Sequence, residues 1–257
     1  MPGKLTILMI GDVVGDPGLA AVEESLPAII REKSADFVVV NAENAAEGFG
    51  MTSEIAHRIR NAGADVITSG NHIWEKKELM PLLDSEAWIL RPANYPAAAT
   101  GHGFVTIEKN GMQWLVINLQ GREFMTPIDC PFQCFDSLFE QRSGNPIIVV
   151  DFHAESTVEK EALGWYLDGR AHIVAGTHTH VQTADEKILK QGSAYITDLG
   201  MTGVQDAIIG MDTGICIERI KKQIPYSMKC ASGAGIIRGI SVTIDSETGK
   251  TLLIERI

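Results

Sequence analysis

Positive charge is in short supply along this 257-residue chain: 22 Lys and Arg stand against 33 Asp and Glu, a formal net charge of −11. Proteins that coat nucleic acid neutralise its phosphates with Lys and Arg, so this balance argues against binding to long DNA or RNA. A small phosphorylated substrate stays open, because a bound metal ion can supply positive charge locally. Cysteine is scarce as well. Cys130, Cys134, Cys216 and Cys230 are the full set, and no C-x-x-C occurs. Cys130 and Cys134, four apart beside Pro131 and aromatic residues, read as partly buried thiols rather than a zinc site. So few thiols fit a reducing cytoplasm. Long apolar runs are missing: stretches such as Phe37–Val40 are far too short to span a bilayer. Met1–Ile10 lacks the charged-then-apolar export pattern with a small-residue cleavage site, and no N-x-[ST] sequon is present. The expectation is a soluble cytoplasmic protein with no membrane attachment.

What the chain does have is a core. Its 45% apolar content supports one large domain over residues 1–257, with no repeat, linker or low-complexity tract. Short β-rich runs alternate with helical stretches. Lys4–Ile10 reads as a buried strand, and Pro17 opens a helix to about Lys33. Strands follow over Asp36–Val40, Val66–Thr68 and Trp88–Leu90, with helices between them, one capped by Thr52 or Ser53 and one over Glu75–Leu83. Phe104–Glu108 and Met112–Leu119 flank Asn110-Gly111, a strong hairpin signal placed at a sheet edge. Further on, Cys134–Gln141 reads as a helix, Ile147–Val150 as a strand, and Thr157–Leu167 as a helix capped by Thr157. His172–Ala175 and Tyr195–Thr197 are strands, and a Gly-rich loop covers Asp198–Met211. A helix from Thr213 to Lys222 and β runs over Ile236–Ile244 and Thr251–Ile257 complete the pattern. Alternation first and hairpins later point to an α/β sandwich of mixed sheets flanked by helices.

The chemistry gathers at strand ends. Gly176-Thr177-His178-Thr179-His180 follows a short apolar run and brings two imidazoles close together, a common way to hold a transition metal. Other strands finish in Asp12, in Glu43 and Asn44, in Asn71 and His72, and in His153. Ligands in α/β folds collect at the carboxyl ends of strands. Each residue alone has a structural explanation, but the set together points to a site. Three histidines, two carboxylates and two amides exceed what one tetrahedral zinc needs and suffice for two metals sharing a carboxylate bridge. The mixed donors suit Fe, Mn, Zn or Co. Two such ions acidify a shared water and clamp the oxygens of a phosphoryl group. His72, next to a ligand but not needed as one, fits the task of protonating a leaving oxygen.

Read in order, Gly11-Asp12, an acidic residue after the second strand, Gly70-Asn71-His72, His153 and Gly176-Thr177-His178-Thr179-His180 resemble the calcineurin-like metallophosphoesterase motifs. Three departures stand out: Val14 where a histidine is expected, Glu43 for the bridging Asp, and Thr177 before the last pair. These departures are similar to those of the YmdB-type subfamily. So are Asn41-Ala42-Glu43-Asn44-Ala45-Ala46, Arg91-Pro92-Ala93-Asn94, Asn118–Arg122, Asp151–Glu155 and Asp198–Gly203. The resemblance implies a four-layer α/β/β/α sandwich, a di-iron centre or another pair of divalent or trivalent ions such as manganese or zinc, and hydrolysis of 2′,3′-cyclic nucleotides. It also implies that Asp12, Glu43, Asn44 and His180 hold one ion and Glu43, Asn71, His153 and His178 the other. Glu43 would bridge them, Asn44 would stand in for the histidine missing at Val14, and His72 would be the proton donor.

Weaker signals remain. Gly249-Lys250-Thr251 is no phosphate loop, because Ile244 occupies the position of its first glycine. Arg91, Asn94, Arg122 and Glu155 are candidates to touch substrate or to tie down loops. Alternative readings are a phosphomonoesterase or other metal-dependent hydrolase, and a regulator whose hydrolysis is incidental. Edge hairpins keep a homo-oligomer open.

Overall fold

The computed structural model describes residues 3–257; the reading of Met1 and Pro2 as free of an export signal lies outside them. Two sheets carry the fold. The first uses β1 (Lys4–Ile10), β3 (Phe37–Asn41), β4 (Val66–Thr68), β13 (Gly239–Asp245) and β14 (Thr251–Arg256) in the order β14-β13-β1-β3-β4. β1, β3 and β4 run parallel, with β13 antiparallel to β1. The second uses β5 (Phe104–Lys109), β6 (Met112–Gln120), β7 (Ile147–His153), β8 (Ile173–Thr177), β9 (Lys187–Ile188) and β10 (Ala194–Ile196) in the order β5-β6-β7-β8-β10-β9. Its four central strands are parallel and the expected hairpin of β5 and β6 lies at its edge. A small third sheet joins β2 (Asp12–Val13), β11 (Met201–Val204) and β12 (Gly235–Ile236).

Three apolar layers give the four-layer order. Between the sheets, Ile7, Met9 and Val39 face Val116, Val149 and Ala175, and the rings of Phe37 and Trp114 stack 4.5 Å apart. On the outer face of the first sheet, Leu19, Val22 and Leu26 of α1 (Gly15–Lys33) and Ala56 and Ile59 of α2 (Ser53–Asn61) bury Leu8, Val38 and Val40. Beyond the second sheet, Phe135 of α4 (Pro131–Gln141) and Leu163 and Leu167 of α5 (Thr157–Leu167) cover Ile117, Val150 and Val174. Alternate residues of one strand thus feed two different cores, as strands covered on both faces require. The remaining helices are α3 (Met80–Ser85) and α6 (Thr213–Lys222), the latter with the boundaries its sequence suggests.

The differences from expectation have local causes. A helix from Glu75 fails because Pro81 has no N–H to bond back to Lys77; Lys77–Leu79 form one 3₁₀ turn and α3 starts at Met80. Trp88–Leu90 makes only bridges, Ile67 to Ile89 and Leu90 to His102, instead of a strand. Helix α5 is capped by Ser156, whose hydroxyl accepts from the Glu159 N–H, since Thr157 is already helical. Pro131 at the first position starts α4 before Cys134. The Gly-rich loop contains β11, which pairs with β2 and so closes over Asp12. The four cysteines carry free thiols. No described helix is long and apolar enough to cross a membrane.

Candidate metal centre

Parallel register brings the motif residues together. Asn41 pairs with Thr68 across β3 and β4, so the loops bearing Glu43, Asn44, Asn71 and His72 leave the sheet side by side. His153 pairs with Thr177 across β7 and β8, which sets the His178–His180 loop beside His153. Asp12 enters from β2. All seven residues read from the sequence as ligands, together with His72, converge where the two sheets meet.

His153 is fully buried and centres the inner group. Its Nε2 lies 2.8 Å from Glu43 Oε1, 3.2 Å from Asn71 Oδ1 and 3.0 Å from His178 Nδ1. Its Nδ1 donates to Thr177 Oγ1 at 2.9 Å, and that hydroxyl donates to Asp151 Oδ1 at 2.7 Å. Asp151 is anchored in turn by Asn41 Nδ2 at 3.0 Å and by the Thr68 hydroxyl. His178 Nε2 lies 3.2 Å from Glu155 Oε2, and its Nδ1 points toward the centre. The outer group has the same logic. His180 Nδ1 donates to the Ile209 carbonyl at 2.9 Å, leaving Nε2 3.3 Å from Asn44 Oδ1. The Asn44 amide is oriented by its own donation to Gly48 O at 3.0 Å.

Three observations test whether metal ions fit here. Glu43 Oε1, Asn71 Oδ1 and His178 Nδ1 all aim at one imidazole nitrogen, and a single proton there can satisfy only one of them well. In the neutral ring whose Nδ1 donates to Ile209, His180 Nε2 faces Asn44 Oδ1 as one acceptor facing another. Asp12, wholly buried, has Oδ1 without a hydrogen-bond partner, while Oδ2 accepts from the His178 N–H at 3.3 Å. Cations at the two groups would satisfy these donors, and outward hydrogen bonds such as those of His153 and His180 orient metal-binding imidazoles. Glu43, His153 and His178 have donor atoms within 4.8 Å of one another.

Protonation follows the same charge logic. Burial pushes the Asp12 carboxyl up to about 6. Burial also works against Glu43, but His153 and the His72 N–H outweigh it and hold the carboxyl at about 2. His153 is pushed up to about 9, because Glu43 and Asp12 override the cost of burying its charge. His178 is pushed down to about 3 by burial and by His153. Without a metal the cluster therefore keeps a proton on His153 between two carboxylates, where a metal cation would otherwise sit.

His72 borders this cluster. Its N–H donates to Glu43 Oε2 at 3.0 Å, and its ring stands edge-on to Phe49, 5.1 Å between centroids. Its Nδ1 lies 3.5 Å from Glu75 and makes no hydrogen bond. The motif glycine before Asn71 is explained by contact, since a Cβ on Gly70 would overlap the His153 ring.

Of the weaker candidates, only Glu155 faces the centre. Arg91 donates to the carbonyls of Pro92, Ala93 and Ala99, and Asn94 to those of Gln120 and Asp129, so both tie down loops. Arg122 lines a separate surface hollow. Three roles escaped the sequence reading, although Asp151 and Asp198 both stand in stretches it singled out. Asp151 lies two residues before His153 on one strand and therefore on the same face, a legible signal. The buried pair Lys160–Asp198, 2.6 Å apart, fixes Thr179, whose N–H and hydroxyl donate to Asp198 at 3.2 and 2.8 Å. Arg219 of α6 is the one Lys or Arg among the described residues lining the cavity of about 390 Å³ over the cluster. Neither Lys160 as the partner of Asp198 nor Arg219 carries a local sequence signal.

Comparison with known proteins agrees with this geometry. The sequence model of the YmdB-like protein family matches residues 8–257. The chain is 48% identical over 254 residues to a 2′,3′-cyclic-nucleotide 2′-phosphodiesterase of Bacillus subtilis (strain 168), covering 98% of this chain and 96% of that protein. A crystal structure of a hypothetical protein from Thermus thermophilus superposes with a TM-score of 0.91 at 41% identity, covering 98% of both chains. A Mycoplasma pneumoniae crystal structure described as a novel phosphatase gives 0.95 at 31% identity, covering 100% of this chain and 94% of the other.

Proposed function

This chain belongs to the YmdB-like protein family, and from that premise we propose that it is a di-metal phosphodiesterase that opens 2′,3′-cyclic nucleotides, residues 1–257 working as one catalytic domain in the cytoplasm. The observation that carries the reading is the convergence of donor atoms from Glu43, Asn71, His178 and His153 on one point, with His72 beside them. Asp12, Glu43, Asn44 and His180 would hold one ion, and Glu43, Asn71, His153 and His178 the other. The donor set of imidazole, carboxylate and amide suits iron, with manganese and zinc as alternatives. When bound, the two ions acidify a water and offset the charge that grows on the phosphoryl oxygens.

The protein's own groups do the rest. The Thr177–Asp151 relay keeps the His153 proton on Nδ1 and its lone pair inward. Arg219 offers a guanidinium to the charged phosphate in the cavity. His72 gives a proton to the oxygen that leaves phosphorus. In metal-loaded enzyme, His72→Ala should keep the metal content and lower turnover of 2′,3′-cyclic AMP about 100-fold or more. Unchanged turnover removes His72 from that role. Preference for an aryl phosphomonoester over the cyclic diester would turn the reading toward a phosphomonoesterase.

A further inference from the structure

Beside the metal cavity lies a larger one of about 920 Å³, and the two share Phe49 and Met228 in their walls. Phe49 is presented between two glycines in the left-handed region, Gly48 at φ 88° and Gly50 at φ 79°. Its ring packs edge-on against His72. The larger volume falls in the range of small-molecule pockets, about 300–1,000 Å³. Ala46, Tyr226 and Met228 give it apolar and aromatic walls, and Ser227 and Ser232 bring hydroxyls. Its charges cancel: Asp16 and Glu47 stand against Lys76 and Lys229, with Lys76 paired to Glu47 at 2.9 Å. Such a lining suits a flat, neutral, polar-edged group and gives no excess charge for a second phosphate.

The bond chemistry says what that group is. Opening the 2′ ester forms a bond from water oxygen to phosphorus and breaks the bond from phosphorus to O2′. O2′ leaves with the electron pair, takes a proton from His72 and stays on the ribose, giving a nucleoside 3′-phosphate. The ribose must therefore lie against His72, and Phe49, which touches His72, opens onto the larger cavity. We propose that this cavity is the nucleoside subsite, with the base resting on the rings of Phe49 and Tyr226. The inference rests on the phosphodiesterase reading above and adds to it where the base binds.

The test compares 2′,3′-cyclic AMP with ethylene phosphate, the same five-membered cyclic ester without a nucleoside. Base–aromatic stacking predicts that Tyr226→Ala raises KM for 2′,3′-cyclic AMP about tenfold with kcat little changed, leaves kcat/KM for ethylene phosphate as it was, and is rescued by Tyr226→Phe. Ser232→Trp, which fills the cavity from an exposed loop, should act on the nucleotide alone in the same way. Calorimetric binding of 3′-AMP, which needs no turnover, should weaken about tenfold in both Tyr226→Ala and Ser232→Trp. Wild-type affinity for nucleotide in both variants, or equal loss on both esters in both, overturns the subsite while leaving the phosphodiesterase reading standing. A metal-loaded wild type that binds 3′-AMP but opens neither ester keeps the subsite and overturns that reading instead.

Discussion

His153 ends an interior strand, is wholly buried, and is aligned by a chain of side chains that runs through Thr177 to Asp151. His180, by contrast, sits on a partly exposed loop with φ 67°, and its ring is aligned by one backbone carbonyl, Ile209. His153 is thus placed by strand register, whereas Glu43, Asn71 and His178 around it, and Asn44 and His180 of the outer group, lie on loops just past strand ends. Register is hard to shift where both faces of a strand are buried, because a slip moves every side chain to the wrong face. Loops yield more readily. The inner group should therefore bind its ion more tightly and hold its shape through perturbations that disperse the outer group.

Direct removal of donors puts the largest strain on this comparison. His153→Ala should abolish binding of the inner ion, a greater loss than the roughly 10- to 100-fold that removing an outer hydrogen bond costs. His180→Ala should keep one ion per chain. Metal analysis after dialysis checks both, and equal retention in the two variants would erase the distinction between inner and outer halves.

The loop can also be loosened without touching a donor. Asp198 and Lys160 are each only 1% exposed, and Asp198 also accepts from Thr179 and from the Gly200 N–H. Asp198→Ala leaves a buried ammonium unpaired and should cost about 3–5 kcal/mol of unfolding free energy. At temperatures where the variant is folded, its weaker ion should be the one lost first. Denaturant titration and metal analysis read the two effects.

A third test uses His172, which immediately precedes β8 and bonds to β7 but is treated oppositely to His153. Its Nδ1 accepts the Ile148 N–H at 2.9 Å, and burial pushes its pKa down to about 4. The fold favours the neutral ring, so this stability is complete above the ordinary value of 6.5 and is lost as pH falls from there toward 4. The loss approaches roughly 3 kcal/mol. Unfolding free energies of wild type and His172→Gln should converge over that window, and parallel curves would contradict the assignment. The smallest effect belongs to the cavity mouth: Arg219→Ala should raise KM for 2′,3′-cyclic AMP about tenfold, the scale of one charged hydrogen bond, with metal content intact.

The candidate ligands and the contacts that hold their loops were not equally legible in the sequence. Motif residues at or just past strand ends singled out the seven candidate ligands and His72 that the fold brings together, because each follows a short apolar run. Most strand and helix limits were legible for the same reason. What sets the loops was not. Asp198 lies 38 residues from Lys160 and Arg219 lies 39 from His180, and no period or spacing links such pairs. The cap at Ser156 and the stop at Pro81 turned on local hydrogen bonds: one hydroxyl a residue earlier and one missing N–H. Asp151 was visible in the alternation of β7, two residues before His153, once a partner for the buried ring was sought.

The bridged two-ion site is tested most directly by counting metal in the purified, metal-supplemented wild type and in Glu43→Ala, alongside hydrolysis of 2′,3′-cyclic AMP. Two ions per wild-type chain with turnover, and loss of both metal and turnover in Glu43→Ala, is the expected result. A wild type that binds no metal, or a Glu43→Ala variant that keeps two ions and full turnover, would contradict the account.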